Sequence, residues 1–522
     1  MAVQPFSNEP VVDFRQEANA QIMRAAIEKV RGELGREYDL VIGGRRSRTH
    51  RENDKIRSLN PARPSEVVGV HQKAGIEHVE PAMQAALAAS DSWKNVAVEE
   101  RAGLLFRTAE IVRKRKLEFN AWMVLEVGKN WDEAEADTCE AIDFLEFYAR
   151  LALHMAQAEP AVQLPGERDS LRYIALGVGA VIPPWNFPLA IMCGMTVASV
   201  VCGNTVVLKP SSDSPTIAAK FFEVLEEAGM PPGVVNFCPG SGATFGNGLV
   251  EHPRTRFIAF TGSRDVGLDI NVRAAQHRPG QLWIKRTILE MGGKDSIVVA
   301  ADADLDAAVE GVAASAFGFQ GQKCSACSRA IVDTTLYDKF VEKLQARVAK
   351  IRIGNPAENA PAGPVVNAGA LKSITNYIEI GAKEGRVIAG GRLAALSGFD
   401  DGYFLEPTVI ADIAPTARLA QEEIFGPVLA VIRARDFDDA LAIANNTEYG
   451  LTGAIYSASP QQIERARNEF HVGNLYINRK CTGAIVGAHP FGGFNMSGTD
   501  SKAGGSDYLY LFSQAKSIAE KL

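Results

Sequence analysis

The stretch GVGAVIPPWNFPLAIMCGMTVASVVCGNTVVLKP, residues 177–210, contains a strand, a helix and a second strand in direct succession. Residues 177–182 and 204–208 are short runs rich in β-branched side chains, and an apolar run at 187–203 separates them. The apolar run is shorter than the roughly 20 residues that a membrane span needs, so a buried helix is the better interpretation. The stretch therefore predicts a βαβ unit in a parallel sheet.

Strands continue to alternate with helical segments after this unit. Further candidate strands lie at 233–237 and 257–260, and a second α/β series begins near Thr287. The candidate strands of the second series are 296–299, 330–332, 408–410 and 428–432. Such alternation predicts an α/β fold, in which helices cover both faces of a parallel sheet and ligands bind at the carboxyl ends of its strands.

The chain upstream of the first strands is predominantly helical. Apolar residues recur at three- and four-residue spacing in about 78–93, 97–127 and 131–156, with few helix breakers. Residues 1–36 are predicted to form a helical N-terminal extension, and 39–44 a short strand that ends in two glycines.

Composition and charge exclude several classes of protein. The chain has 522 residues, of which 46% are hydrophobic, so it is long enough for two or three domains with large cores. Its 55 basic and 62 acidic residues give a net charge of −7 without basic blocks, which argues against nucleic acid or an anionic membrane as a partner. No secretory signal is visible at the N-terminus, and we expect a cytoplasmic protein.

The cysteines and histidines indicate neither a disulfide framework nor a metal site. Seven cysteines are dispersed along the chain, an odd number that is typical of reduced thiols. The eight histidines show no pair at metal-ligand spacing, and the pair Cys324 and Cys327 has no second CxxC to complete a zinc site. We expect no metal.

A candidate nucleophile lies in the segment FGFQGQKCSACSR, residues 317–329. Cys324 follows a Gly-Gln-Lys turn and precedes small residues, which leaves the thiol uncrowded. A thiolate is stabilised by a nearby positive charge, and Lys323 is adjacent. The alternative is a structural cysteine in a glycine-rich turn.

Two further segments carry groups that suit chemistry at a carbonyl. Glu290 precedes a Gly-Gly turn in LEMGGKD, residues 289–295, and could act as a general base or be a surface glutamate at a strand end. Asn186 follows the strand 177–182, and its amide could stabilise an oxyanion or cap the helix that follows.

A nucleotide-binding element is indicated by FIAFTGSRDVG, residues 257–267, where a strand runs through Thr-Gly-Ser into a helical segment. Helix N-termini bind pyrophosphate through free N–H groups and the helix dipole. The turn PGSGATFG, residues 239–246, has GxGxxxG spacing instead of GxGxxG and is a weak dinucleotide fingerprint.

Together these segments resemble the aldehyde dehydrogenase superfamily over about 38–515. The resemblance implies an aldehyde dehydrogenase fold: a Rossmann-like cofactor domain, an α/β catalytic domain and a small β-flap for oligomerisation. The domains expected from it are an N-terminal extension at 1–36, an NAD(P)-binding domain at 37–288 interrupted by a flap segment at about 157–172, a catalytic domain at 289–490, and a C-terminal part with the oligomerisation tail at 491–522.

The resemblance also implies the roles of individual residues. Cys324 matches the nucleophile, Glu290 the base that activates the deacylating water, and Asn186 the oxyanion donor together with the Cys324 N–H. The reaction would pass through a thiohemiacetal and a thioester to a carboxylate. The residues expected to bind the cofactor are Lys209 at the adenosine ribose, Ser263 at the pyrophosphate, Glu423 at the nicotinamide ribose and Phe425 near the nicotinamide, with Trp185, Ser212, Gly240 and Gly262.

Ser212 bears on which cofactor is used. Many NAD-specific relatives carry an acidic residue at this position, three residues after the lysine, where it bonds the ribose hydroxyls. A serine removes a clash with a 2′-phosphate. We therefore expect NAD to be used and NADP to be tolerated.

Segments 321–325, 478–484, 490–493 and 497–505 resemble the branch of the family that oxidises L-glutamate γ-semialdehyde to L-glutamate in proline catabolism. Such a substrate ends in a carboxylate and an ammonium, and a turn with free N–H groups and a hydroxyl forms a carboxylate nest. The substrate-binding residues implied are Ser325, Gly483 and Ala484 as the carboxylate anchor, Phe187 and Phe491 as an aromatic pair around the aliphatic middle, and Lys323. The alternative for both phenylalanines is core packing.

Two other functions remain open at this point. The first is hydrolytic oxidation of another semialdehyde, such as succinate semialdehyde. The second is a non-catalytic binding protein with a dehydrogenase fold. The expected partners are the small-molecule semialdehyde, further copies of the chain in a dimer or larger homo-oligomer, and a proline dehydrogenase that would supply the substrate.

Overall fold

The computed structural model describes residues 4–48, 55–160 and 162–522. Residues 1–3 of the expected N-terminal extension and residue 161 of the expected flap segment lie outside the described residues. Two seven-stranded sheets form the framework of the chain. The extension contains helix α1 (Glu17–Arg31) and leads into a three-stranded sheet of β1 (Arg36–Tyr38), β4 (Lys55–Asn60) and β5 (Arg63–Gln72).

The first seven-stranded sheet is built around the βαβ unit that the sequence predicts. Its strands are β2 (Leu40–Ile42), β3 (Arg45–Ser47), β7 (Val178–Ile182), β8 (Thr205–Leu208), β9 (Val235–Phe237), β10 (Phe257–Thr261) and β11 (Arg286–Glu290). Their order is β11-β10-β7-β8-β9-β2-β3. The pairs from β11 to β9 are parallel, and β2 and β3 extend the sheet in antiparallel pairs.

Helices cover this sheet. They are α2 (Val79–Trp93), α3 (Val98–Lys114), α4 (Lys116–Val127), α5 (Trp131–Met155), α6 (Ala190–Val201), α7 (Pro215–Glu227), α8 (Asn247–Glu251) and α9 (Arg264–Ala275). The apolar run 187–203 forms α6, in which all residues but Ile191 are buried, so the prediction of a buried helix is confirmed. The helical stretch 97–127 is divided in two at Arg115, whose backbone leaves the helical conformation.

The second seven-stranded sheet is also mostly parallel. Its strands are β12 (Ser296–Val299), β13 (Arg329–Asp333), β14 (Arg386–Ala389), β15 (Thr408–Ala411), β16 (Val428–Ala434), β18 (Thr452–Tyr456) and β19 (Asn474–Ile477). The order is β14-β15-β16-β13-β12-β18-β19, with β14 antiparallel to β15. Its helices are α10 (Leu305–Phe317), α11 (Tyr337–Val348), α12 (Ala368–Glu384), α13 (Arg418–Gln421), α14 (Phe437–Asn445) and α15 (Pro460–Glu469).

The boundary between the two α/β units requires a correction. We expected the catalytic domain to begin at residue 289 and its α/β series near Thr287. Residues 286–290 instead form β11, which pairs in parallel with β10 along its whole length. The chain therefore leaves the first sheet only after Glu290, because an edge strand belongs to the sheet whose hydrogen bonds it completes.

A two-stranded antiparallel ladder joins two segments that are far apart in the sequence. Strand β6 (Glu167–Ala175) pairs antiparallel with β21 (Ser513–Lys521) near the C-terminus. The strand extends three residues beyond the expected flap segment at about 157–172, and β6, which is described in full, has no buried residue. A smaller pair, β17 (Tyr449–Gly450) and β20 (Phe494–Asn495), completes the strands. The α/β fold class with a small β-flap is confirmed.

Candidate active site

The predicted catalytic residues converge where the two α/β units meet. Asn186 follows β7, Glu290 is the last residue of β11, and Cys324 lies in the loop between α10 and β13. A methyl group at Gly293, in the turn after Glu290, would lie 2.6 Å from the Cys324 carbonyl oxygen. Only glycine permits this close approach, which brings the turn and the cysteine loop into contact.

Asn186 contacts the cysteine loop directly. Its side chain is 4% exposed, and Nδ2 donates a hydrogen bond to the carbonyl oxygen of Gln322 at 3.1 Å. Helix α6 begins at Ala190, after the N-cap residue Leu189. The alternative of Asn186 as a helix cap is therefore wrong, because a cap must stand directly before the first turn.

The loop that carries Cys324 has an unusual backbone. Helix α10 ends at Phe317, and Phe319 and Gln320, two and three residues later, both adopt the left-handed conformation, with φ of 46° and 57°. This conformation is costly for residues with large side chains and persists only where the surroundings hold it. The Gln320 side chain is buried and donates to the Pro364 carbonyl oxygen at 2.8 Å. The glycine-rich sequence of this segment predicts a turn, but it does not predict the left-handed conformation of Phe319 and Gln320.

The surroundings of Cys324 favour the thiol over the thiolate. Burial raises its pKa well above the ordinary value, and the carboxylates of Glu290, Asp295 and Glu423 raise the pKa further. Lys323 does not offset them as we expected, because its Nζ lies 2.6 Å from the Glu133 carboxylate in an ion pair. The thiol must therefore lose its proton to a base before it can attack.

The surroundings of Glu290 give its carboxylate a high proton affinity. Its Oε2 accepts a hydrogen bond from the Ser501 hydroxyl at 3.3 Å, whereas Oε1 is buried with no hydrogen-bond partner among the described residues. Burial is the largest influence and raises the pKa of Glu290 well above its ordinary value. An unpartnered oxygen with raised proton affinity suits a general base.

The carboxyl ends of the parallel strands carry groups that fit a dinucleotide. Lys209 follows β8 and is 6% exposed, with Nζ 3.2 Å from the Pro210 carbonyl oxygen, and burial lowers its pKa to about 8. Ser263 is the exposed N-cap residue of α9, and the described structure shows no capping bond from its hydroxyl. Gly262 lies between β10 and Ser263, and Gly240 follows β9, where it forms a bridge with Ala74.

Further groups that fit the cofactor lie in the segment after α13 and next to Asn186. Glu423 Oε1 accepts a hydrogen bond from the Gly293 N–H at 3.0 Å, and burial raises the Glu423 pKa to about 7. The rings of Trp185 and Phe425 are nearly perpendicular, with centroids 5.6 Å apart. Ser212 is exposed, and the neighbouring Asp213 carboxylate accepts a hydrogen bond from Asn367 at 2.9 Å.

The predicted substrate anchor lies beside the nucleophile. The Ser325 carbonyl oxygen accepts a hydrogen bond from Cys481 Sγ at 3.4 Å, which connects the cysteine loop to the segment containing Gly483 and Ala484. Gly483 has a φ of 82° and Ala484 is half-buried. Arg479 donates to the Gly483 carbonyl oxygen at 3.2 Å. The anchor segment is thus held by hydrogen bonds to Ser325 and Arg479.

The two aromatic residues are not part of a packed core. Phe187 and Phe491 are both half-buried, in contrast to the fully buried side chains around α6. The Lys129 Nζ lies over the Phe187 ring at 4.0 Å from the centroid. The alternative of simple core packing therefore does not describe either side chain, and the proposed contact with substrate stays a prediction.

The sequence did not reveal a buried ion pair beneath the site. The side chains of Lys129 and Asp137 are both 0% exposed, with Nζ and Oδ2 2.8 Å apart. Asp137 Oδ1 also accepts the Ala190 N–H at 2.6 Å, at the start of α6. The pair thus supports both the Phe187 ring and the helix that follows Asn186. Lys129 lies between α4 and α5, and charged residues are usually solvated, so no sequence pattern indicated this pair.

We expect Lys129→Met to lower the free energy of unfolding by about 3–5 kcal/mol, because it leaves the Asp137 carboxylate buried without its partner. Urea unfolding followed by tryptophan fluorescence measures the loss. Lys94→Met is the matched control, since its ion pair with Asp91 is exposed and such pairs contribute about 1 kcal/mol or less. Equal losses in the two variants would contradict the importance of the buried pair.

The described residues also bear on three other features, namely a membrane span, a metal site and disulfides. No helix within it is long and apolar enough to span a membrane. Within the same residues, no three His, Cys, Asp or Glu side chains are grouped as metal ligands. All seven cysteines are free thiols, and six of them are buried.

The chain is similar to known proteins over nearly its whole length. Residues 48–518 match the model of the aldehyde dehydrogenase family. A 1-pyrroline-5-carboxylate dehydrogenase of Geobacillus thermodenitrificans is 58% identical over 520 residues, which cover 99% of both chains. A 1-pyrroline-5-carboxylate dehydrogenase from Thermus, solved with bound NAD, is 51% identical, covers 100% of both chains and superposes with a TM-score of 0.97.

A longer protein contains a similar region. Proline utilization A from Bdellovibrio bacteriovorus is 45% identical with a TM-score of 0.96, and the match covers 99% of this chain but 53% of that one. These similarities confirm the predicted fold and the resemblance on which the site residues were chosen. The chain belongs to the aldehyde dehydrogenase family.

Proposed function

We propose that the chain oxidises L-glutamate γ-semialdehyde, the open form of Δ1-pyrroline-5-carboxylate, to L-glutamate with NAD. One observation carries the proposal: the Cys-Thr-Gly-Ala segment beginning at Cys481 is bonded to Ser325, the residue next to the candidate nucleophile. The 58% identity to a 1-pyrroline-5-carboxylate dehydrogenase over 99% of both chains supports the same substrate.

The first step is attack of Cys324 on the aldehyde carbon. The thiol, whose pKa is raised, gives up its proton to water, and the sulfur then forms the carbon–sulfur bond of a thiohemiacetal. One amide hydrogen of Asn186 is engaged by the Gln322 carbonyl oxygen. The second is free to stabilise the oxyanion together with the Cys324 N–H.

Hydride loss converts the thiohemiacetal into a thioester on Cys324. NAD, when bound, supplies the hydride acceptor. Glu290 then takes a proton from the water that attacks the thioester carbon. The carbon–sulfur bond breaks, the product leaves as the carboxylate, and the Cys324 sulfur takes the proton back from Glu290, which restores the thiol. The high proton affinity that burial gives Glu290 favours this proton transfer.

The residues present fit NAD. Lys209 and Ser263 stand at the ends of β8 and β10, where α/β sheets bind dinucleotides, and the N-terminus of α9 offers free N–H groups to a pyrophosphate. Glu423 Oε1 is held by the Gly293 N–H, and its other oxygen, which accepts no hydrogen bond from the described residues, can bind a ribose hydroxyl. Because Ser212 is exposed and uncharged, a 2′-phosphate meets no carboxylate at that position, so NADP is tolerated.

In this proposal the protein is a cytoplasmic homo-oligomer. The ladder of β6 and β21 extends away from the core, since β6 as described has no buried residue. Large apolar side chains are exposed on α9 and in the following loop, namely Val266, Val272, Leu282 and Ile284. Exposed apolar clusters of this kind favour contact with another copy.

A proline dehydrogenase is the partner that the chemistry of substrate supply suggests, and proline utilization A is similar over only 53% of its length.

We expect a clear preference for L-glutamate γ-semialdehyde over succinate semialdehyde and propanal, because only the first presents both a carboxylate and an ammonium to the anchor. NADH formation with each aldehyde, with NAD and then with NADP, measures it. Preference for succinate semialdehyde or propanal would refute the anchor and keep the dehydrogenase chemistry. No activity with any aldehyde would favour a binding protein.

A further inference from the structure

The N-terminal segment contacts the loop that contains the predicted substrate anchor. We call residues 5–12 the N-terminal arm and residues 481–487 the anchor loop. The arm lies along α5 and ends against the anchor loop, although nearly the whole chain separates the two in sequence. The mechanism proposed above uses no residue of the arm.

Asn8 and Phe6 make the direct contacts between the arm and the anchor loop. Asn8 Nδ2 donates to the Val486 carbonyl oxygen at 3.0 Å and to Asp143 Oδ2 on α5 at 2.8 Å. A methyl group at Gly487 would lie 3.2 Å from the Phe6 ring and 3.4 Å from the Phe147 ring. The two rings pack edge to face, with centroids 5.2 Å apart, and lie against one side of Gly487.

The arm itself is fastened at several points, so it can hold the loop in place. The Glu9 N–H donates to Asp143 Oδ1 at 2.7 Å, and the Glu9 carboxylate lies 2.9 Å from Arg113 Nε. Lys116 Nζ donates to the Pro10 carbonyl oxygen at 2.8 Å. Arg113 and Lys116 belong to α3 and α4, which places the arm on three helices at once.

The anchor loop receives its remaining support from other directions. Cys481 is bonded to the Ser325 carbonyl oxygen, and Arg479 bonds the carbonyl oxygen of Gly483. The Gly487 N–H donates to the Gly504 carbonyl oxygen at 2.9 Å. Asn8 therefore satisfies the Val486 carbonyl oxygen, two residues beyond Ala484. A turn binds a carboxylate through its N–H groups only while their directions are fixed.

We propose that the N-terminal arm is a positioning element for the anchor loop, in which Asn8 and Phe6 hold the loop in the form that binds the carboxylate end of the substrate. The inference rests on the proposed function, since it assigns the loop to the amino-acid end of L-glutamate γ-semialdehyde. It predicts that the arm affects binding of this end and leaves the chemistry at Cys324 unchanged.

The test is the double variant Phe6→Ala, Asn8→Ala in the full chain. We expect KM for L-glutamate γ-semialdehyde to rise about tenfold, the sum of one lost hydrogen bond and one lost ring contact, with kcat within about twofold. The kcat/KM for propanal, which has no carboxylate, should not change. Ser7→Ala is the matched control, because the described residues provide no side-chain hydrogen bond for Ser7.

Competitive inhibition by L-glutamate gives a second measurement that does not depend on turnover of the semialdehyde. Glutamate carries the same carboxylate and ammonium, so its inhibition constant against propanal oxidation should rise by a similar factor in the double variant. An equal loss with both aldehydes, or an unchanged KM and inhibition constant, would overturn the role of the arm. Failure of the unmodified chain to prefer glutamate semialdehyde would instead refute the proposed function.

Discussion

Cys324→Ala is expected to abolish aldehyde oxidation while leaving NAD binding intact. The thiol forms the covalent bond to the aldehyde carbon, and no other group in the variant can replace it, so kcat should fall by at least about 10⁴. The residues that fit the cofactor, such as Lys209 and Glu423, are untouched by the change. NADH formation measures the loss, and calorimetric titration with NAD measures the retained binding.

Cys327→Ala is the matched control for this experiment. It removes a thiol from the same loop, but Cys327 is 1% exposed and its Sγ is directed to the Arg329 carbonyl oxygen at 3.4 Å. The control should keep most of its activity. Normal turnover in Cys324→Ala would refute the assignment of the nucleophile, and loss of activity in Cys327→Ala alone would move that role to the second thiol.

Much of the fold could be predicted because its signals are local. The β-branched runs at 177–182 and 204–208 with an apolar helix between them determine the centre of the first sheet, and each predicted strand of the second sheet lies within an observed one. Strands β14, β18 and β19 of the second sheet were not predicted, and β11 was assigned to the wrong unit, since its residues join the first sheet only through pairing with β10. Sheet membership is a long-range property that a local pattern does not contain.

The candidate site was predictable in its residues but not in its electrostatics. Motif order identified Cys324, Glu290 and Asn186, and the structure brings their segments together. Proximity in sequence suggested Lys323 as the partner of the thiol, yet its ammonium turns to Glu133, which is 190 residues away along the chain. The partner of a flexible charged side chain depends on the tertiary structure, and the same holds for the contact of Asn8 with Val486.

The raised proton affinities of Cys324 and Glu290 have a joint consequence. Burial raises the pKa of both groups, and an ionised Glu290 raises the pKa of the Cys324 thiol further. The site therefore does not favour a thiolate and a carboxylate at the same time. This suits a mechanism in which Glu290 acts as the base in the hydrolytic half of the reaction, when the Cys324 sulfur is bound in the thioester and carries no charge.

Glu290→Gln is expected to leave acylation measurable and to slow deacylation by about 10²- to 10⁴-fold, because an amide cannot take a proton from water. Gln preserves the size of the side chain and can still accept the hydrogen bond that Ser501 donates. Rapid mixing with substrate and NAD should therefore show a burst of NADH, close to one per active site, followed by slow turnover.

The proposed role of Glu290 also predicts the direction in which turnover changes with pH. Because burial raises the pKa of Glu290, the carboxylate is protonated over a wider range than usual, and its capacity as a base is lost as the pH falls through that raised value. Steady turnover of the unmodified chain should rise with pH across this range, whereas the slow phase of Glu290→Gln should not follow the same titration. Glu422→Gln is the control, since pairing with Arg418 lowers the pKa of Glu422 to about 2 and keeps it ionised throughout.

Absence of a burst together with unchanged turnover in Glu290→Gln would remove Glu290 from the mechanism, and a fall in the burst itself would show that Glu290 is needed to deprotonate Cys324 as well.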